Sequence, residues 1–99
     1  MITVIAKLKV KPGSDAAFRQ AADKMITHVT ANEAGALTYI LYRSTADPNE
    51  FVFYEVYSDQ AALAVHGGSE PMMQFFGAIG GLLEGRPEVT LYEELGGKK

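Results

Sequence analysis

His66 and Glu55 are the side chains of this chain best suited to acid–base chemistry. Imidazole titrates near neutral pH, so one group can both take and return a proton within a turnover. Glu55 stands in the run Phe51-Val52-Phe53-Tyr54-Glu55-Val56-Tyr57, on the strand face that it shares with Phe51, Phe53 and Tyr57. A lone carboxylate among aromatic rings is costly and needs a partner. A backbone amide or Arg43 would satisfy it. His66 as that partner, oriented by the carboxylate, would make the pair an acid–base device. A histidine in the last turn of a helix is equally favoured by the helix dipole with no chemistry attached. Tyr57 adds a flat wall with a hydroxyl at its edge, suited to stacking on a planar ligand or simply to filling a core.

Other candidates carry less. His28 falls at the edge of a helical apolar stripe beside Ala21, a position usually structural or solvated. Two distant histidines make no zinc motif, and the absence of cysteine removes disulfides, thiolate metal sites and thiol nucleophiles. That absence fits a reducing compartment. Gly77, Gly80 and Gly81 follow no strand and so form no phosphate loop; they are expected to allow close packing instead. The net charge of −3 comes with scattered basic residues, which excludes the clustered basic face of a nucleic-acid binder. No apolar run is long enough to span a bilayer, and the first ten residues alternate rather than forming a secretion signal. A soluble cytoplasmic protein without a metal site is the expectation.

The elements that must position these groups follow from periodicity. Ile2 to Val10 alternates as a half-buried strand, broken by Pro12-Gly13-Ser14, with Ser14 placed to cap a helix. Phe18, Ala22, Met25 and Val29 recur at helical spacing up to about Glu33, and Gly35 is the expected left-handed stop. Ala36 to Arg43 and Phe51 to Tyr57 read as an antiparallel hairpin across the turn Asp47-Pro48-Asn49-Glu50. Ser58 is placed to cap a short helix ending at His66, which Gly67-Gly68 separates from a second helix with Pro71 in its first turn. Met72, Phe75, Phe76, Ile79, Leu82 and Leu83 form the apolar side of that helix, as core or as the wall of a cavity, and Glu88 to Leu95 alternates as a last strand. The order β-α-β-β-α-β, with the second helix split, is an α+β, ferredoxin-like arrangement: one domain over residues 1–95 and a frayed tail over 96–99.

Helices on one side cover only one face of such a sheet. Leu37, Tyr39 and Leu41 on one face of the second strand oppose Ala36, Ile40 and Tyr42 on the other. Likewise Val52, Tyr54 and Val56 oppose Phe51, Phe53 and Tyr57 in the third. A strand with one wet face would alternate apolar and polar. So much exposed aromatic surface calls for a second copy packed sheet to sheet.

Several segments resemble the antibiotic biosynthesis monooxygenase domain: the first strand with Lys11-Pro12-Gly13, Tyr42-Arg43-Ser44 with Asp47-Pro48-Asn49, Phe51-x-x-Tyr54-Glu55, and Ala62-Leu63 to His66 with Ser69. The resemblance runs to about Leu95 and implies a dimeric α+β barrel. It also implies metal-free, flavin-free oxygenation of a small hydrophobic aromatic, quinol-like or polyketide-like substrate by O2. On that basis His66 is the base, Glu55 its carboxylate partner, and Phe53, Tyr57, Leu63 and Phe76 line the pocket. The chain departs from the family at Tyr57, where many members carry tryptophan, and at Met72, where many carry a second histidine. Lys7 stands where haem-degrading members would offer asparagine, so haem degradation does not fit. A non-catalytic dimer binding a small ligand, or a related barrel isomerase, is the competing class.

Overall fold

The computed structural model describes residues 1–99. Alternation makes Ile2–Lys9 a strand, β1, because it sends Val4, Ala6 and Leu8 to the buried side and Ile5, Lys7 and Lys9 to solvent. Gly13, at φ 85°, turns the chain into helix α1, Asp15–Asn32. Phe18, Ala22, Met25 and Val29 form the buried stripe of α1. Strands β2 (Ala36–Arg43) and β3 (Glu50–Tyr57) follow, then helices α2 (Gln60–Gly67) and α3 (Glu70–Ile79), a 3-10 turn at Gly80–Leu82, and strand β4 (Glu88–Glu93). The sheet is antiparallel throughout in the order β2-β3-β1-β4. This is the ferredoxin-like βαββαβ arrangement with a split second helix that the periodicity implies.

The hairpin turn forms through side-chain acceptors: Asp47 Oδ1 accepts from Asn49 N at 2.9 Å, and Ser44 Oγ accepts from Asp47 N at 3.1 Å. Between the sheet and the helices lies an aromatic core. Phe18 packs on Phe51 with ring centroids 4.6 Å apart and on Phe75 at 6.2 Å, while Phe53 meets Phe75 edge-on at 5.9 Å. Burial on this scale contributes about 1.5–3 kcal/mol per large side chain.

Several local expectations are corrected. Ser14 makes no side-chain cap; Phe18 N donates to its backbone carbonyl instead. Asp59, not Ser58, caps α2, its Oδ1 accepting from Ala62 N at 2.8 Å. Ser69 caps α3, its Oγ accepting from Met72 N. Gly35 is not left-handed. Its constraint is contact: a Cβ there would overlap the Ala62 Cβ of α2. Gly77, Gly80 and Gly81 have open space beside them, so close packing is not their reason. In β2 a register shift between Ala36 and Thr38 turns Ala36 toward the core beside Tyr39 and Leu41, and leaves Leu37 exposed. Strand β4 ends at Glu93 rather than Leu95, and every residue in it is exposed. The sheet face opposite the helices is apolar, with Ile5, Ile40 and Tyr42 exposed and Val52, Tyr54 and Val56 half-buried.

Candidate active site

Three elements bring polar side chains into the core at one end of the sheet. From β3, alternation points Glu55 and Tyr57 inward, where both are buried. From α2, His66 sits in the last turn and is the only buried residue of that helix. From the end of α1 comes Glu33, also buried, in a short turn in which Ala36 N donates to the Glu33 carbonyl at 3.0 Å. Tyr39 of β2 faces the same space, opposite Glu55 in the strand register.

The carboxylate that holds the imidazole is Glu33, not Glu55. His66 Nδ1 lies 2.9 Å from Glu33 Oε1. A carboxylate only accepts, so Nδ1 carries the hydrogen and Nε2 presents its lone pair. That Nε2 is buried without a hydrogen-bond partner, 3.8 Å from Glu55 Oε1. Glu55 is satisfied elsewhere: the Tyr57 hydroxyl donates to its Oε1 at 2.6 Å, the short distance of a charge-assisted bond. The partners considered from sequence, a backbone amide or Arg43, are not the ones used. The second oxygen of Glu33 lies 3.1 Å from His28 Nε2, without the alignment of a hydrogen bond.

Aromatic rings enclose the imidazole. Tyr39 and Tyr57 flank it with centroids at 5.1 and 5.3 Å, and Phe53 stacks behind Tyr39 at 5.0 Å. Among the expected lining residues, Phe53 and Tyr57 therefore stand in this cluster, and Leu63 is half-buried on α2. Phe76 does not join them; it is exposed on α3, where its ring touches Phe75. Burial pushes the Glu55 carboxyl above the usual range, Tyr57's hydrogen bond and His66 partly oppose this, and the Glu33 charge adds to it. The Tyr39 and Tyr57 phenols are pushed up as well, chiefly by burial, then by Glu55, so both keep their protons. No group of three or more His, Asp or Glu side chains is placed to hold a metal ion.

The sequence model of the family described as antibiotic biosynthesis monooxygenase matches residues 1–78, which include every polar member of this cluster. The chain belongs to that family. It is 36% identical over 94 residues to the "Putative monooxygenase Rv0793" of Mycobacterium tuberculosis, covering 95% of this chain and 91% of that protein. The solved structure of Rv0793 superposes with a TM-score of 0.88 at 33% identity, covering 99% of this chain and 98% of that one. A structure from Caulobacter crescentus CB15, titled a "putative antibiotic biosynthesis monooxygenase", gives a TM-score of 0.92 at 32% identity, over 96% of this chain and 90% of its own. The family's ferredoxin-like fold is thus the fold seen here.

Glu33 is the residue that sequence reasoning missed, because it lies 33 positions from His66 and reads as a solvated helix end. A signal was present: an acid at a helix C-terminus opposes the dipole, and α1 has no basic residue in its last turn to offset it. An acid so placed calls for a partner.

Proposed function

We propose that this protein is a cofactor-independent monooxygenase that oxidises a small aromatic or quinol-like compound with O2, His66 serving as base. The observation that carries this reading is the buried imidazole fixed through Nδ1 by Glu33, with Nε2 unpartnered and enclosed by Tyr39, Tyr57 and Glu55. A carboxylate on Nδ1 fixes the tautomer and stabilises the imidazolium that forms when Nε2 takes a proton. Family membership and the two relatives named putative monooxygenases support the same class.

The chemistry is led by the substrate. His66 Nε2 removes a phenolic or activated C–H proton, and the resulting anion gives one electron to O2. The superoxide and substrate radical combine to a peroxide, which takes back the proton. Loss of water breaks the O–O bond and the remaining C–H bond, leaving one oxygen atom as the carbonyl of a quinone and the other in water. The protein supplies the base, orientation and a dry enclosure. Burial raises the Glu55 carboxyl, and the Tyr57 hydroxyl that donates to it disperses the charge it carries on the far side of the enclosure. Because α2 buries only His66, it is the element whose small displacement admits substrate. A second copy on the apolar outer face completes the fold as a homodimer and shields the sheet from water.

The test is oxygen uptake with reduced anthrone-like and dihydroquinone probes. The parent protein consumes O2, and His66→Ala loses that activity by roughly 10²-fold or more. Uptake unchanged in His66→Ala removes the role. One observation favours a second reading, a non-catalytic ligand-binding dimer: His66 is only 3% exposed. Under that reading probes bind and no O2 is consumed.

A further inference from the structure

Glu55 is the one buried acid of the cluster without a cation of its own. Both nearby imidazoles lie against Glu33: His66 Nδ1 is 2.9 Å from its Oε1, and His28 Nε2 is 3.1 Å from its Oε2. Lysine and arginine pair with other acids, Lys7 with Glu50, Lys9 with Asp47 and Arg19 with Asp23. Glu55 has only the Tyr57 hydroxyl, a neutral donor, and its side chain is 6% exposed. Its other polar neighbour is His66 Nε2, 3.8 Å from Oε1, a nitrogen that presents a lone pair and makes no hydrogen bond. Two acceptors thus face each other with no hydrogen between them. A buried carboxylate and an unpaired imidazole nitrogen both cost free energy until donors reach them. Beyond burial, the larger cause, the Glu33 charge raises Glu55, Tyr39 and Tyr57 alike, which marks the whole space as acidic.

The walls match a cation as well. Tyr39 stands directly opposite Glu55 in the register of β2 and β3, half-buried, and Tyr57 lies two residues along on the same face. Their rings flank the imidazole at 5.1 and 5.3 Å. Aromatic faces beside a carboxylate attract positive charge, since the ring quadrupole and the carboxylate act with the same sign. We propose that the substrate is a small phenol bearing a protonated amine next to its hydroxyl, the hydroxyl donating to His66 Nε2 and the ammonium to Glu55 beside the Tyr39 and Tyr57 rings. This names the substrate class of the reading above and rests on His66 as the base. An ammonium has three donors and no acceptor, the complement of an acceptor pair, and close-set donors suit the 3.8 Å separation. The ammonium balances Glu55 and lies beside the phenolate that forms when Nε2 takes the proton. A carboxylate in its place meets two buried acids and is refused.

Three ring-matched probes that differ in one charged group test this without oxygen: ortho-aminomethylphenol, ortho-hydroxymethylphenol and ortho-hydroxybenzoate. In calorimetric titrations under argon at neutral pH, the amine binds roughly tenfold tighter than the alcohol, and the carboxylate more weakly than either. In Glu55→Gln the preference for the amine over the alcohol disappears. An amine bound no tighter than the alcohol, or not bound at all, overturns the proposal, as does a preference that survives Glu55→Gln. Should that variant not fold, nuclear Overhauser contacts in the parent decide. The amine's methylene hydrogens lie against the Tyr39 and Tyr57 rings, and contacts confined to other residues overturn the site. Oxygen uptake with an aminomethyl dihydroquinone separates the two readings. A parent that ranks the probes as stated but consumes no O2 overturns the monooxygenase and leaves the amine site standing. O2 consumed with neutral quinols, without that ranking, overturns the amine site alone.

Discussion

At the level of single residues, the cluster contains two carboxylates in different roles. Glu33 is tied to the imidazole, whereas Glu55 is tied to a phenol and its carboxyl is raised by burial. A raised acid favours the fold in its neutral form, so that stabilisation is full below the ordinary glutamate range and is lost as pH climbs through the raised value. Glu55→Gln removes the ionisation and keeps an acceptor for the Tyr57 hydroxyl. The variant is therefore expected to match the parent's Tm near about pH 4 and to exceed it by a few degrees at neutral pH, where ~1 kcal/mol corresponds to roughly 4–8 °C in a domain of this size. Thermal melts across that range check it; a gap that closes toward neutrality contradicts the assignment. Much of this site was legible. His66 in a helix's last turn and Glu55 on an inward strand face follow from periods of 3.6 and 2. Their pairing did not follow, because spacing fixes which way a side chain points and not which of several acids reaches it.

Among the helices, α2 is the least anchored. It buries one side chain and is held at its start by the Asp59 cap and along its side by contact of Ala62 with Gly35. The Ser58 amide also donates to the Gly35 carbonyl at 2.9 Å, joining the end of β3 to the start of β2 at this point. Gly35→Ala forces a methyl into the Ala62 side chain, and the expected cost is roughly 1–3 kcal/mol. Urea unfolding should show a lower midpoint with an unchanged slope. Because the displaced helix carries His66, oxygen uptake should fall further than the stability loss alone accounts for. An alanine tolerated with full activity would show that α2 is free to shift without consequence. In sequence, Gly35 looked like a conformational stop, since glycine after a helix usually is one; only the packed neighbour shows the different reason.

The molecule as a whole leaves an unusual amount of greasy surface in water. Ile5, Ile40 and Tyr42 are exposed on one side of the sheet, and Val89 and Leu91 are exposed on β4. The two-faced strands were plain in the residue pattern, and the architecture followed from the element order. What the pattern could not reveal is the phase of β2 near its start, since a bulge changes facing without changing composition. If a twin molecule covers the outer face, Ile40→Lys places a charge against its symmetry mate and splits the pair. Analytical ultracentrifugation should then show the parent at twice the 10.7 kDa chain mass and the variant at the chain mass itself. A parent already sedimenting as a single chain at micromolar concentration defeats the dimer.

The bulge at Ala36/Thr38 also decides how the incoming chain is rotated when it leaves α1. The rest of β2 is locked to β3 from Thr38 to Arg43, so straightening the bulge with Leu37 drawn into the regular ladder would spin only the preceding residues by half a turn. Ala36 would swing to the outer surface, and the tight corner running back to Glu33 would be dragged with it. The acid's delivery to the imidazole is thus written in the count of residues between two anchors as much as in their identities. Anyone redesigning this enclosure should vary loop length with the same care given to side-chain choice.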